Sequence, residues 1–171
     1  MIKALNLTIA AALTLWLFAA PALAQTPEHL GKHRDWDAFT FMEDGAIACY
    51  IASRPTKEEG QYSARGDVYL LVTHRTGDNT RDVVSIVTGY TYKEDSVTEA
   101  QVGSSTFSLF TVGDTAFSRN EEDDQRLVAA MKAGIEMSIR GTSARGTETL
   151  DTYSLRGFTA AYNEASAACG L

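Results

Sequence analysis

The sequence lacks most of the short motifs that announce catalysis. It contains no Gly-x-Ser-x-Gly, no His-Glu-x-x-His, no phosphate-cradling glycine loop and no Gly-x-Gly-x-x-Gly following a strand. Those absences remove the hydrolase elbow, the zinc-protease helix and the common nucleotide folds. It has two cysteines, Cys49 and Cys169, too far apart for the paired spacing of zinc or thioredoxin-type sites. Basic residues are outnumbered, 15 Lys and Arg against 22 Asp and Glu for a net charge of −7. A chain with that balance is a poor nucleic-acid binder, because the phosphate backbone rewards clustered cations. Beyond residue 24 no stretch approaches the ~18 consecutive apolar residues of a membrane helix. Large aliphatics are also scarce: from Gln25 onward 28 residues are Val, Ile, Leu or Phe. That share borders on the disorder-prone range, so folding must rest on patterning.

The patterning is there. Residues 1–24 read as a secretory signal, with Lys3, an apolar run from Ala4 to Ala20, and the small-residue site Ala22-Leu23-Ala24. Cleavage before Gln25 leaves a chain bound for the periplasm or the exterior. Gln25 is not the cysteine of a lipid-anchored protein, and no twin arginine precedes the apolar run. Residues 25–35 read as a polar leader, and residues 36–171 as a single β-rich domain. Eight short alternating runs follow: Trp36 to Met42, Ala46 to Ile51, Asp67 to Arg75, Asp82 to Tyr92, Val97 to Val102, Thr106 to Val112, Ile135 to Arg140 and Thr147 to Leu155. Arg54 to Arg65 reads as a polar loop. Two short helices interrupt the pattern. One is expected after a capping box at Ser118 to Glu121, with acidic residues 121 to 124 in its first turn. The other runs from Gly157 to Ala168, with Phe158, Ala161, Tyr162, Ala165 and Cys169 on one face. The expected fold is mainly β, an antiparallel β-sandwich or partly closed barrel of about eight strands with two short helices.

The cysteines follow from these phases. Cys49 projects with Ile47 and Ile51, and Cys169 with the apolar helix face, so both point toward a core in an oxidising compartment. A Cys49–Cys169 disulfide is expected, which leaves no cysteine nucleophile.

The remaining candidates are weighed against simpler readings. His29 and His33 would share a face of a helix, but in a polar leader they read as exposed side chains, and no metal site or cofactor is expected. His74 ends a strand; a base paired with Asp67 or Asp82 is conceivable, and a histidine at a sheet rim is simpler. Glu121 to Asp124 suits a capped helix start and lacks the calcium-loop pattern. Glu43-Asp44 and Glu94-Asp95 sit in turns where adjacent carboxylates diverge. No catalytic residues are assigned. In Gly141 to Thr147, two glycines and three hydroxyls surround an arginine. Thr142, Ser143 and Arg145 are therefore a candidate anion or ligand loop, although a plain hairpin turn needs the same glycines.

The C-terminal half, FSLFTVGDTAFSRNEEDDQRLVAAMKAG and then GTSARGTETLDTYSLRGFTAAYNEASAACG, resembles the invasion associated locus B family of alphaproteobacteria. Trp36 ahead of a strand carrying Cys49 extends the resemblance toward the N-terminus. It implies an exported, mainly β protein, named for host-cell entry by a pathogenic member, and supplies no catalytic residue. Some relatives carry further cysteines that this chain lacks. The functional expectation is a non-enzymatic envelope or periplasmic module that binds an envelope or host protein or a glycan. A secreted adhesion or invasion factor is the first alternative and a small secreted hydrolase the second.

Overall fold

A computed structural model describes residues 26–171. The secretory signal expected at residues 1–24 lies outside them. Eleven strands form: β1 (Glu28–His33), β2 (Trp36–Glu43), β3 (Ala46–Ser53), β4 (Lys57–Gly60), β5 (Tyr69–Arg75), β6 (Thr80–Val87), β7 (Thr98–Val102), β8 (Ser105–Val112), β9 (Thr115–Phe117), β10 (Glu136–Thr142) and β11 (Glu148–Ser154). Two helices, α1 (Glu121–Ala133) and α2 (Phe158–Ala168), complete the chain.

All strand pairs are antiparallel, in the order β1-β2-β3-β5-β6-β9-β8-β7-β10-β11-β4. The sheet is not closed, and β8 is its fold line. Residues Ser105 to Leu109 of β8 pair with β7, while Phe110 to Val112 pair with β9. Two layers result, and their buried side chains join one cluster that includes Ile51, Val72 and Ile86 from one layer and Leu109, Met137 and Tyr153 from the other. The fold is sandwich-like, as the alternation implied.

Each of the eight expected runs is a strand. The Asp82 to Tyr92 run stops at Val87, because the chain must turn at Gly89, where φ is +67°. Three strands were missed. The polar leader is not a leader: Glu28–His33 pairs with β2 as an edge strand, its exposed charges showing only that one side lacks a neighbour. The polar loop after Ser53 hides β4, a charged four-residue edge against β11. Both sheet edges are thus short and charged, and β1 also carries a bulge, features that discourage pairing with other chains. The third, β9, has three residues, too few for a period to show.

Helix α1 starts two residues later than the capping box suggested. Asn120 sits in extended backbone, and its side-chain oxygen accepts from the Asp123 amide at 2.9 Å, while Ser118 is buried ahead of it. Helix α2 packs on β1, β2 and β3 and buries Phe158, Ala161 and Ala165. Phe158 meets the fully buried Trp36 edge-on at 4.9 Å. The Cys49–Cys169 disulfide closes this layer, joining Cα atoms 6.0 Å apart across 120 positions. His33 Nε2 meets Glu164 Oε2 at 2.6 Å and ties β1 to the helix.

The approach of β1 to α2 needs one glycine. Gly157 has φ +92°, and a Cβ there would lie 1.8 Å from the His33 carbonyl oxygen. Gly157→Ala is expected to destabilise the fold by about 2 kcal/mol or more, from left-handed strain and displacement of β1. Chemical denaturation would read this; a midpoint equal to the parent's would mean that β1 is not docked there.

Candidate functional site

The turn between β10 and β11 uses several of its amides within itself: Ser143 N–H donates to Thr147 O at 2.9 Å, Gly146 N–H to Ser143 O at 2.8 Å, and Thr147 N–H to Ser143 Oγ at 3.1 Å. Thr142 lies outside the cleft next to it, with its carbonyl accepting from Lys93 N at 2.9 Å. Ser143 and Arg145 do share a site, but its other members come from elsewhere in the sequence.

That site is a cleft of about 640 Å³, within the range of small-ligand sites. One wall is the loop Gln61 to Gly66, the other is the turn Ser143 to Thr147, and Tyr90 and Thr149 lie between them. Tyr90 Oη and Thr149 Oγ1 are 2.7 Å apart. Backbone contacts fix the walls. Gly66 N–H donates to Gly89 O at 2.9 Å, and Ala144 N–H to Thr91 O at 2.8 Å. A Cβ on Gly89 would lie 2.4 Å from Gly66 O, so this crossing demands glycine.

Beneath the cleft, Arg65 and Asp151 form a two-pronged ion pair, with both contacts at 2.6 Å. Their side chains are 4% and 1% exposed, which makes this a buried pair and not a surface one. Arg65 Nε also donates to Thr88 O at 2.6 Å, and the guanidinium lies 5.1 Å from the Tyr90 ring centre and 5.6 Å from that of Tyr62. Burial opposes the charge on Arg65, but the hydrogen bonds and charge of Asp151 outweigh it and raise the pKa further. Burial pushes the phenols of Tyr90, Tyr92 and Tyr153 up, so these rings stay neutral. The ion pair staples the Gln61–Gly66 loop to β11.

A depression of about 660 Å³ between β8 and α1 is larger by a little, but of its two arginines Arg126 is already paired with Asp123. The outward face of the first layer carries another surface. His29, Phe39, Tyr50, Thr73 and Val83 form a row across β1, β2, β3, β5 and β6. Phe39 stacks on Tyr50 at 4.9 Å and Phe41 meets Tyr50 edge-on at 5.9 Å, so the rings partly cover one another.

The histidines separate. In a regular strand residues four apart share a face, but the bulge between His29 and Gly31 shifts the register. His29 therefore sits beside Phe39 on the outward face with Asp37 at 2.9 Å, while His33 turns toward Glu164. They form no pair for a metal.

His74 is 2% exposed and lies 3.2 Å from Ser166 Oγ through Nε2, with Asp82 Oδ1 4.0 Å from Nδ1. The set looks like a nucleophile, base and acid, but its protons are in the wrong place. Nδ1 accepts the Asp82 backbone N–H at 3.2 Å, so the neutral ring, assigned from this network, carries its proton on Nε2 and donates to Ser166. A base that activates serine needs the lone pair there. The Asp82 carboxylate instead accepts from Tyr162 Oη at 2.6 Å. Burial first, then that carboxylate, pushes the Tyr162 phenol up to about 12, with Lys132 Nζ 3.4 Å from the ring centre.

Burial also lowers the His74 pKa, against the pull of Asp82 and with Lys132 and Arg81 adding to it. In the unfolded chain the imidazole titrates near ~6.5. Below that pH the unfolded state takes up a proton that the fold refuses, so stability falls as pH drops from ~6.5 to the lower folded value. The slope is bounded by one proton, about 1.4 kcal/mol per pH unit. His74→Gln is expected to lose less stability than the parent between pH 7.5 and 5, whatever its stability at pH 7.5. Urea midpoints at the two pH values check this, and parallel losses would remove His74 as the cause.

A family model, the invasion associated locus B (IalB) protein, matches residues 36–166. The chain belongs to the invasion associated locus B family. No curated protein sequence matches it. The crystal structure of invasion associated protein B from Bartonella henselae is similar in fold, with a TM-score of 0.54 at 19% identity, covering 84% of this chain and 96% of that one. Members of the family are exported proteins. Among the described residues no helix is long and apolar enough to cross a membrane.

Of the three expected loop residues, the IalB-type fold brings Ser143 and Arg145 to the cleft. Sequence reasoning missed Tyr62, Arg65, Tyr90 and Asp151. The signal available was weak: Tyr62 and Arg65 stand in a Gly/Ser-rich stretch otherwise read as loop, and Asp151 is a buried carboxylate inside an alternating strand.

Proposed function

We propose that this IalB protein is an exported, non-enzymatic binding module of the cell envelope, and that the cleft between the Gln61–Gly66 loop and the β10–β11 turn holds its ligand. The observation that carries the reading is preorganisation. A buried ion pair, a glycine crossing and backbone hydrogen bonds fix both walls before any ligand arrives, which lowers the ordering cost of binding. The chemistry within reach also favours binding over turnover. Asp151 is committed to Arg65, and His74 holds its proton on the nitrogen facing Ser166.

A photo-crosslinking residue at Ala144, in living cells of the native bacterium, tests this reading against the same residue at Gln101 on the outer face of β7. Reproducible capture from position 144 and not from 101 is the expected result. Capture from neither position, or equally from both, would overturn the assignment of the cleft.

A further inference from the structure

The cleft holds a particular combination of groups, and its ligand class can be argued from them. This step rests on the binding reading above. Its side chains are mostly neutral hydrogen-bonding groups: Gln61, Ser63, Thr91 and Thr147 supply an amide and three hydroxyls, beside the rings of Tyr62 and Tyr90. Tyr62 is 36% exposed and lines the cleft from the Gln61–Gly66 loop, with the Arg65 guanidinium 5.6 Å from its ring centre. Flat aromatic surface flanked by hydroxyls and amides suits a molecule with an apolar ring face and a polar edge. A sugar ring has both: its axial C–H bonds rest on the aromatic face, and its hydroxyls exchange hydrogen bonds with the neutral groups.

A peptide strand fits less well. It would need free backbone donors and acceptors along a wall. Here several of those groups are already used, Gly66 N–H on Gly89 O, Ala144 N–H on Thr91 O, and Ser143 N–H on Thr147 O.

Charge narrows the class further. Arg65 is held by Asp151 and has no charge to spare for a ligand. Arg145 is exposed at the rim and makes no ion pair among the described residues. Glu58, 3.5 Å from Arg65 Nη1, and Glu148, between Thr147 and Thr149, oppose a densely charged anion. The arrangement offers one cation for one negative group. We infer that the cleft binds a sugar bearing a single carboxylate per residue, its ring over Tyr62 and its carboxylate on Arg145.

Two sources carry this chemistry, uronic-acid polymers and sialylated glycans, and a titration can compare them. The probes are a galacturonic acid trisaccharide, sialyllactose and the methyl ester of each, followed by calorimetry or amide NMR with the mature protein. Saturable binding of one of the acids is expected, weakened about tenfold by esterification, since an arginine–carboxylate hydrogen bond is charge-assisted. Arg145→Ala should produce a similar loss and abolish the difference between acid and ester. Tyr62→Ala should weaken acid and ester alike. Both substituted residues are exposed, and unchanged thermal melting would confirm the fold.

Whichever acid binds more tightly identifies the source. No saturable binding of either acid at millimolar concentration would overturn the inference, as would ester and acid binding equally or affinity that ignores Tyr62→Ala. If the sugars fail while crosslinks from position 144 still capture a partner, the cleft reading stands and only the ligand class falls.

Discussion

Replacing Cys49 and Cys169 together by alanine is expected to cost the fold about 4–5 kcal/mol, the chain-entropy value for a loop of this length. The bridge spans 120 positions, nearly the whole of the described chain, so its loss releases the unfolded state over almost its full length. A domain of this size commonly has ~5–15 kcal/mol in total. A core this lean in large aliphatics sits at the lower end, so the variant is expected near the margin of folding. The double substitution is the cleaner test, since a single one leaves a buried thiol. The native side of the balance also contributes. Cys49 is fully buried on β3, and Cys169 caps α2 after Phe158, Ala161 and Ala165 have packed on the first layer. Urea unfolding of parent and variant should show a lower midpoint and a steeper slope for the variant, because its unfolded chain expands further. A loss below about 1 kcal/mol would mean that the apolar face of α2 holds the helix without help.

The same residues show how much of the fold was legible and why. Where one face is buried the period is visible, and Met137 and Ile139 against Glu136, Ser138 and Arg140 make β10 readable, although Ile135, which the same alternation puts on the buried face, precedes the strand and is 83% exposed. Phase alone also placed both cysteines toward the core, because Cys49 alternates with Ala48 and Tyr50 and Cys169 continues the face of α2. Edges defeat this reading. The residues of β1 and β4 are mostly exposed or partly so on both faces, and neither strand has an apolar side from which a period could be counted. The cleft was less legible than the fold for a related reason. Its members lie in three segments, near 62, 90 and 145, and only register across β11, β10 and the Tyr92–Ser143 bridge brings them together. A local pattern could point to Ser143 and Arg145, but not to an arginine 80 positions earlier. The backbone of the turn also shows why a glycine- and hydroxyl-rich loop is weak evidence for an anion site. Its amides can serve a ligand or close the hairpin, and here those of Ser143, Gly146 and Thr147 close the hairpin while that of Ala144 reaches Thr91.

The Arg65–Asp151 pair carries the other large effect. Arg65→Leu should destabilise the protein by about 3–5 kcal/mol, since it leaves a carboxylate that is 1% exposed without its cation. Asp151→Leu should cost a comparable amount by stranding a guanidinium that is 4% exposed. The double variant is the informative one. Two buried charges taken out of water repay little of their desolvation, so an apolar pair of similar bulk should recover much of either single loss. A coupling of several kcal/mol in that cycle is the expected outcome, and additive losses would show that the two side chains act separately. Stability and binding should then part company. The leucine pair restores the core but supplies neither the Nε–H that donates to Thr88 O nor the planar cation beside Tyr62 and Tyr90, so the Gln61–Gly66 loop is no longer held at its native angle. Ligand capture from position 144 should stay lost in the double variant even though its unfolding midpoint returns toward the parent's. Tyr153→Phe is the matched control. Its hydroxyl is buried beside the pair with no hydrogen-bond partner among the described residues, so removing it should be neutral or slightly stabilising. Recovery of both stability and capture in the leucine pair would make the ion pair a replaceable core element. Recovery of stability alone assigns it to the cleft.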